Sequence, residues 1–264
     1  MCGIFGFMLK KPVPMTRVFR VLERLEVHQY PDEKDPVGGY GAGLAVLLDD
    51  GNLVSDKVGK DSESPSKRLA GLIRTKGVAE ASVLVGHVRM PSPKFMSTAN
   101  LKESAQPYVA QSDPDLTVVS VHNGYVENFE ELRKRLEPDH VLESEKSMLI
   151  DSEVIPHYFV EILRETEDVN EALNQFFCTL RGGRNSIGLL HFEEENTYIH
   201  LLHKGKSRGL AVWTNPQDEM IFCSRTEPLI EAFGDILTNQ QFHMKIHIKH
   251  QENIGLRFSF PRNP

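Results

Sequence analysis

The residues whose types and spacing could do chemistry are Cys2, Arg89, Asn123, Gly124 and Asp151. Cys2 directly follows Met1, and removing Met1 ahead of a residue that small would leave a thiol and a free α-amine on one residue. The ordinary pKa values are ~8.5 for the thiol and ~7.7–8.0 for the amine, so the amine can be neutral at cellular pH and take the thiol proton, directly or through water. The plain alternative is an ordinary buried cysteine. Arg89 closes an apolar segment just before a long polar stretch. It is either a surface charge leaving a sheet or a planar fork that binds a carboxylate. Asn123-Gly124 directly follows an apolar run. The pair reads as a turn, or as a side-chain amide and a backbone N–H aimed at developing negative charge, with glycine letting a tetrahedral centre approach. Asp151 is a helix N-cap or a carboxylate that holds an ammonium group.

The elements that must position these residues follow from apolar periodicity. Residues 2–9 read as a buried strand ending at Lys10-Lys11-Pro12, which would put Cys2 at its leading edge. A helix from a Thr16 cap to Val27 buries Val18, Val21, Leu22 and Leu25, and His28–Val37 is a loop. Gly39–Leu48 and Leu53–Val58 form a hairpin whose glycine-rich start fits no phosphate-binding motif. Ser66 opens a helix to Lys76, and Ser82–Val88 is a strand leading into Arg89. Met90–Pro107 has no clear period, and a loop that long is usually either disordered or functional, a substrate lid being one functional form.

Leu116–His122 is a fully apolar strand running into Asn123, and Asn128 with Glu131 has the spacing of a capping box. Asp151-Ser152-Glu153 starts a helix to Glu165, with Pro156 tolerable only in its first turn. Asn170–Arg181 is amphipathic and ends at Gly182-Gly183. Strands follow at Ser186–Phe192, Thr197–His203, Leu210–Thr214 and Met220–Ser224, with Glu193-Glu194-Glu195 as a hairpin tip. Ser224 and Glu227 would cap a short helix ending near Phe233-Gly234, and His243–His250 and Leu256–Phe260 alternate like edge strands. Clustered strands and helices, without strict strand–helix alternation, point to an α+β protein with antiparallel sheets covered by helices.

Composition narrows the function classes. The chain has 264 residues, 40% of them hydrophobic and 25% charged, as expected of one large or two small globular domains. No break in composition divides it, so residues 1–264 are read as a single domain. A net charge of -7 without a basic block argues against nucleic acid, and no apolar run is long enough to cross a membrane. The start lacks a charged segment followed by a long apolar one, so a signal peptide is not expected. The three cysteines, with no Cys-x-x-Cys pair, form no disulfide framework, so a reducing cytoplasm is expected, and Cys178 and Cys223 read as core thiols. His191, His200, His203, His243, His247 and His250 invite a metal reading, but no ligand spacing appears, and neither metal nor cofactor is expected.

The order of these signals adds what none supplies alone. Cys2-Gly3-Ile4-Phe5-Gly6, Gly86-His87-Val88-Arg89, His122-Asn123-Gly124-Tyr125-Val126-Glu127-Asn128 and Asp151-Ser152-Glu153-Val154-Ile155, with a weaker Cys223-Ser224-Arg225-Thr226-Glu227, resemble the class II glutamine amidotransferase domain. That family is a branch of the N-terminal nucleophile hydrolases. The resemblance implies a four-layer αββα sandwich in which Cys2 attacks the glutamine side-chain amide and its α-amine carries the proton. It implies that Asn123 and Gly124 stabilise the oxyanion, Arg89 binds the α-carboxylate and Asp151 the α-ammonium. The products would be glutamate and ammonia. Met90 stands where many members have Trp, and Gln106 stands where synthases making glucosamine phosphate or phosphoribosylamine have His, as in the glutamate-synthase branch. Nothing after about residue 234 is long enough for an ammonia-accepting domain, so a partner synthase chain, as in a glutamate-synthase-like complex, is expected. The alternatives are a glutamine-binding regulatory subunit without turnover, and an amidase for other γ-glutamyl compounds.

Overall fold

The computed structural model describes residues 2–112, 116–166, 168–193, 196–206, 209–248 and 252–261. In chain order the first elements are β1 (Gly3–Pro14), α1 (Met15–Val27), β2 (Gly41–Leu47), β3 (Leu53–Gly59), α2 (Pro65–Thr75) and β4 (Glu80–Val88). There follow β5 (Tyr108–Ser112), β6 (Leu116–Gly124), α3 (Phe129–Arg133), α4 (Val154–Thr166), α5 (Val169–Thr179) and β7 (Arg184–Phe192). The chain closes with β8 (Asn196–Gly205), β9 (Leu210–Thr214), β10 (Met220–Cys223), α6 (Thr226–Asn239), β11 (His243–Ile248) and β12 (Ile254–Pro261).

The strands form a seven-stranded sheet, β11-β9-β10-β1-β4-β2-β3, and a five-stranded sheet, β12-β8-β7-β6-β5. Every pairing among the described residues is antiparallel. Strand alternation sends successive side chains to opposite faces, and both faces of each sheet are covered. Phe5, Phe7 and Leu84 face outward onto Val18, Leu22, Leu69 and Phe233 of α1, α2 and α6. Their neighbours Ile4, Met8 and Val85 face inward and meet Val119, Val121, Leu190 and Leu201 of the second sheet. The far face of that sheet, through Val118, Ile187 and Leu189, is covered by Phe159, Ile162 and Phe176 of α4 and α5. The result is the expected αββα sandwich, with an apolar core at each of its three layer boundaries.

Several local expectations are corrected. The side chain of Ser64, not Ser66, caps α2, and α1 begins after Pro14 without a Thr16 cap. Asn128 makes no capping bond. Its side-chain amide donates to Thr179 O at 3.1 Å and accepts from Arg181 N–H at 2.9 Å, tying two connections together. Ser224 accepts from the Ile4 N–H at 3.1 Å instead of capping α6, which runs through Gly234 to Asn239. Cys178 is exposed, so only Cys223 is a core thiol, pushed up to about 12 by burial. The 90–107 segment holds two short 3-10 turns, Pro93–Thr98 and Lys102–Ser104, anchored by buried Phe95 and Thr98. Glu194, Glu195 and His250 lie outside the described residues.

Candidate active site

Strand register brings the first two groups together. Gly3 pairs with Val88 across the β1–β4 ladder, so Cys2 and Arg89, the residues just beyond, emerge side by side from adjacent strands. The Cys2 sulfur lies against the Met90 backbone, 3.3 Å from its oxygen and 3.4 Å from its nitrogen. The Cys2 nitrogen donates to Asn123 Oδ1 at 3.2 Å, a contact from the first sheet to the second. That bond fixes which way the Asn123 amide points: oxygen toward the Cys2 nitrogen, Nδ2 on the other side. Met1 lies outside the described residues.

Burial pushes the Cys2 thiol up, while the Met90 backbone and the Arg89 guanidinium pull it down and Asp151 raises it further. The net shift is upward, so the thiolate is not preformed and the sulfur needs a base. Arg89 and Asp151 both lie within electrostatic reach of that sulfur, and Asp151 is also within reach of Arg89. A guanidinium, a carboxyl group and a thiol therefore lie within electrostatic reach of one another.

Each charged group is held by backbone. Arg89 is 4% exposed, its N–H donates to Gly41 O at 2.8 Å and its carbonyl accepts from Tyr40 N–H at 3.0 Å. Its guanidinium donates from Nη1 to Thr98 O and from Nη2 to Thr98 Oγ1, each at 2.7 Å. The 93–98 turn is thus tied to the arginine. Asp151 is 3% exposed and accepts from the Val126 N–H at 2.8 Å just before α4, not as a simple helix cap. Burial outweighs that bond and raises its carboxyl from 3.8 to about 7.

Asn123 and Gly124 end β6 as strand residues, not as a turn, paired with Ser186 and Asn185 of β7. A Cβ on Gly124 would lie 2.4 Å from Arg184 O and 2.5 Å from both Asn185 Oδ1 and His122 Nε2, so only glycine fits. The His122 ring beside it bonds to Asn185 Oδ1 and Ser152 Oγ, each at 2.8 Å. Asn185 Oδ1 also accepts from Tyr125 N–H, and its Nδ2 donates to Gly182 O. The His122 proton therefore sits on Nε2, and Nδ1 accepts from the Ser152 hydroxyl. This chain connects the end of β6 to the residue after Asp151.

Of the residues singled out in sequence, Cys2, Arg89, Asn123, Gly124 and Asp151 are brought near one another, whereas Cys178 and Cys223 take no part. Sequence reasoning missed their supports: Thr98 on Arg89, the Met90 backbone on the sulfur, and His122, Ser152 and Asn185 around Gly124. His122 and Ser152 stood within the recognised motifs, but Asn185 and Thr98 carried no local signal. Among the described residues no group of histidine, cysteine or acidic side chains could hold a metal ion, and no helix is long and apolar enough to cross a membrane.

The layers and antiparallel topology are those of the N-terminal nucleophile hydrolases. A family model described as a glutamine amidotransferase domain matches residues 94–231, more than half of the sequence, and includes Asn123, Gly124 and Asp151. The chain belongs to the class II glutamine amidotransferase domain family. It is 29% identical over 205 residues to the glutamine–fructose-6-phosphate aminotransferase (isomerizing) of Chlamydia trachomatis, covering 77% of this chain and 29% of that one. Against the enzyme of the same name from Thermococcus kodakarensis it is 32% identical over 183 residues, covering 69% of this chain and 26% of the other. The chain thus spans less than a third of the length of these relatives. The fold matches the glutamine phosphoribosylpyrophosphate amidotransferase of B. subtilis complexed with ADP and GMP, at TM-score 0.62 and 18% identity over 99% of this chain and 49% of that one. A structure described as the allosteric regulatory enzyme of purine biosynthesis matches at TM-score 0.63 and 17% identity, over 99% and 49% of the two chains.

Proposed function

We propose that residues 1–264 form one glutaminase unit that hydrolyses the side-chain amide of glutamine through Cys2. With Met1 removed, the Cys2 amine takes the thiol proton as the sulfur attacks the amide carbon. The carbonyl oxygen becomes an oxyanion held by Asn123 Nδ2 and the Gly124 N–H. The C–N bond then breaks, the proton passes to the leaving nitrogen, and ammonia departs from a γ-glutamyl thioester. Water, deprotonated by the same amine, releases glutamate and restores the thiol. Arg89 takes the α-carboxylate and Asp151 the α-ammonium, so a zwitterionic head meets one cation and one anion.

The observation that carries this reading is the meeting of the Cys2 nitrogen with Asn123 Oδ1 at 3.2 Å, beside a thiol within reach of both Arg89 and Asp151. Burial keeps the thiol protonated, and once Met1 is removed the amine at that nitrogen is placed to take the proton as the sulfur attacks. The ammonia passes to a synthase, in line with the names of the relatives, and we assign that synthase to a partner chain. Purified protein should release glutamate from glutamine, intact mass should show Met1 gone, and Cys2→Ala should stop turnover. Active protein that retains Met1 would refute the amine mechanism. Glutamine binding without ammonia release, with or without candidate synthases, would point instead to a regulatory subunit.

A further inference from the structure

The β5–β6 ladder ends at Tyr108 opposite Ser120, and continuing its register would set Gln106 opposite His122. The described ladder stops at Tyr108, and beyond it Gln106 meets His122 through its side chain instead of its backbone. His122, only 1% exposed, turns its backbone N–H and C=O toward that edge. The side chain of Gln106 meets both. Its Oε1 accepts from His122 N–H at 2.6 Å and its Nε2 donates to His122 O at 3.1 Å. A primary amide offers donor and acceptor side by side, as a neighbouring strand would, whereas the two imidazole nitrogens diverge.

Direction is what this pairing controls. Alternate residues of a strand turn their N–H groups to the same edge, so the bond at His122 also sets where the Gly124 N–H points. The opposite edge is held separately, by β7. We propose that Gln106 is a positioning residue, a side-chain rung that keeps the Asn123–Gly124 donors aimed at the oxyanion formed beside the Cys2 sulfur. This rests on the glutaminase reading and deepens it. Gln106 itself touches no reacting atom; it acts through the backbone of β6. Its loss removes the two bonds that tie the His122 backbone to Gln106, and the end of the strand is freed to shift.

The test uses the full chain with Gln106→Met, which keeps volume and removes both bonds, and Gln106→Glu, which keeps the acceptor and loses the donor. The readouts are glutaminase kcat and KM, affinity for glutamate, and affinity for the aldehyde analogue of glutamine. Glutamate reports the grip on the amino-acid head. The aldehyde reports the oxyanion donors, because the Cys2 thiol adds across its C=O, sulfur to carbon and proton to oxygen, without a leaving group. Gln106→Met should lower kcat about 10–100-fold, as sub-ångström to ångström misplacement does, with aldehyde affinity falling in parallel. KM and glutamate affinity should stay within about twofold. Gln106→Glu should lie between wild type and Gln106→Met, and if the methionine variant does not fold, the glutamate variant decides alone. Wild-type kcat in the folded variant, or equal losses of glutamate and aldehyde affinity, overturns the role of Gln106. A wild-type chain that binds neither ligand overturns the glutaminase reading itself.

Discussion

Replacing Asp151 with asparagine should make the empty protein more stable at alkaline pH and deaf to glutamine. The carboxyl is raised from 3.8 to about 7, chiefly by burial, so its ionised form is disfavoured in the folded chain. Below the unfolded value both states hold the proton, and the group contributes nothing to the pH dependence. Between 3.8 and about 7 the unfolded chain ionises while the folded one does not, and stability falls as pH rises. At ~1.36 kcal/mol per unit, the cost reaches roughly 4 kcal/mol above the folded value, of which about 3 kcal/mol accrues between pH 5 and pH 8. Asparagine keeps an oxygen for the Val126 N–H but never ionises, so it escapes this term. Urea unfolding of both chains at pH 5 and pH 8 measures it. The wild type should lose about 1–3 kcal/mol more than Asp151→Asn over that interval, whatever the fixed cost of the substitution. Glutamine should restore stability to the wild type at pH 8 and leave the variant unmoved. In turnover, kcat/KM should rise through about pH 7 as Asp151 ionises, because the substrate ammonium needs the charged form. Equal pH slopes for the two chains would refute the idea that binding charge is stored here as instability.

Three further substitutions test the rest of the site. Asn123→Ala should lower kcat by about 10²–10³-fold with little change in glutamate affinity, read by steady-state kinetics beside product titration. Gly124→Ala forces a methyl to within 2.4 Å of Arg184 O and should both abolish turnover and lower the denaturant midpoint, by about 1–3 kcal/mol in stability. Arg89→Lys keeps a charge but loses the fork that donates to two Thr98 oxygens. It should raise KM about tenfold or more, and limited proteolysis should cut the 93–98 turn faster.

What the sequence disclosed depended on whether the deciding contact was local. The edge strands β11 and β12 were legible because alternation betrays a half-covered surface, and they do lie at the margins of the two sheets. β5 went unread, since Tyr108–Ser112 is short and follows a polar stretch without periodicity. The Asn128 capping pattern failed because Thr179 and Arg181, remote in sequence, took its side chain. Gly234 suggested an ending for α6, yet a Cβ there would meet only Ile230 at 3.9 Å. A glycine in open space costs a helix about 1 kcal/mol, which buried Leu229, Phe233 and Leu237 outweigh. At the site, chemistry-bearing residues announced themselves by type. The hydrogen bonds from Gln106, Asn185 and Thr98 did not, because each becomes meaningful only after two distant segments meet.

The central place of β1 has a bearing on how activity comes into being. Its neighbours are β4 and β10, and the Ser224 N–H and hydroxyl bond to Ile4 beside the nucleophile. The strand that follows Cys2 is thus enclosed only by residues some 220 positions later. Asn123 and Gly124 belong to the other sheet. Pairings this remote carry a loop-closure cost that must be met before the β1 neighbourhood is complete. On the proposed glutaminase reading, ammonia release would begin only when the two sheets have met, a safeguard written into the order of the strands.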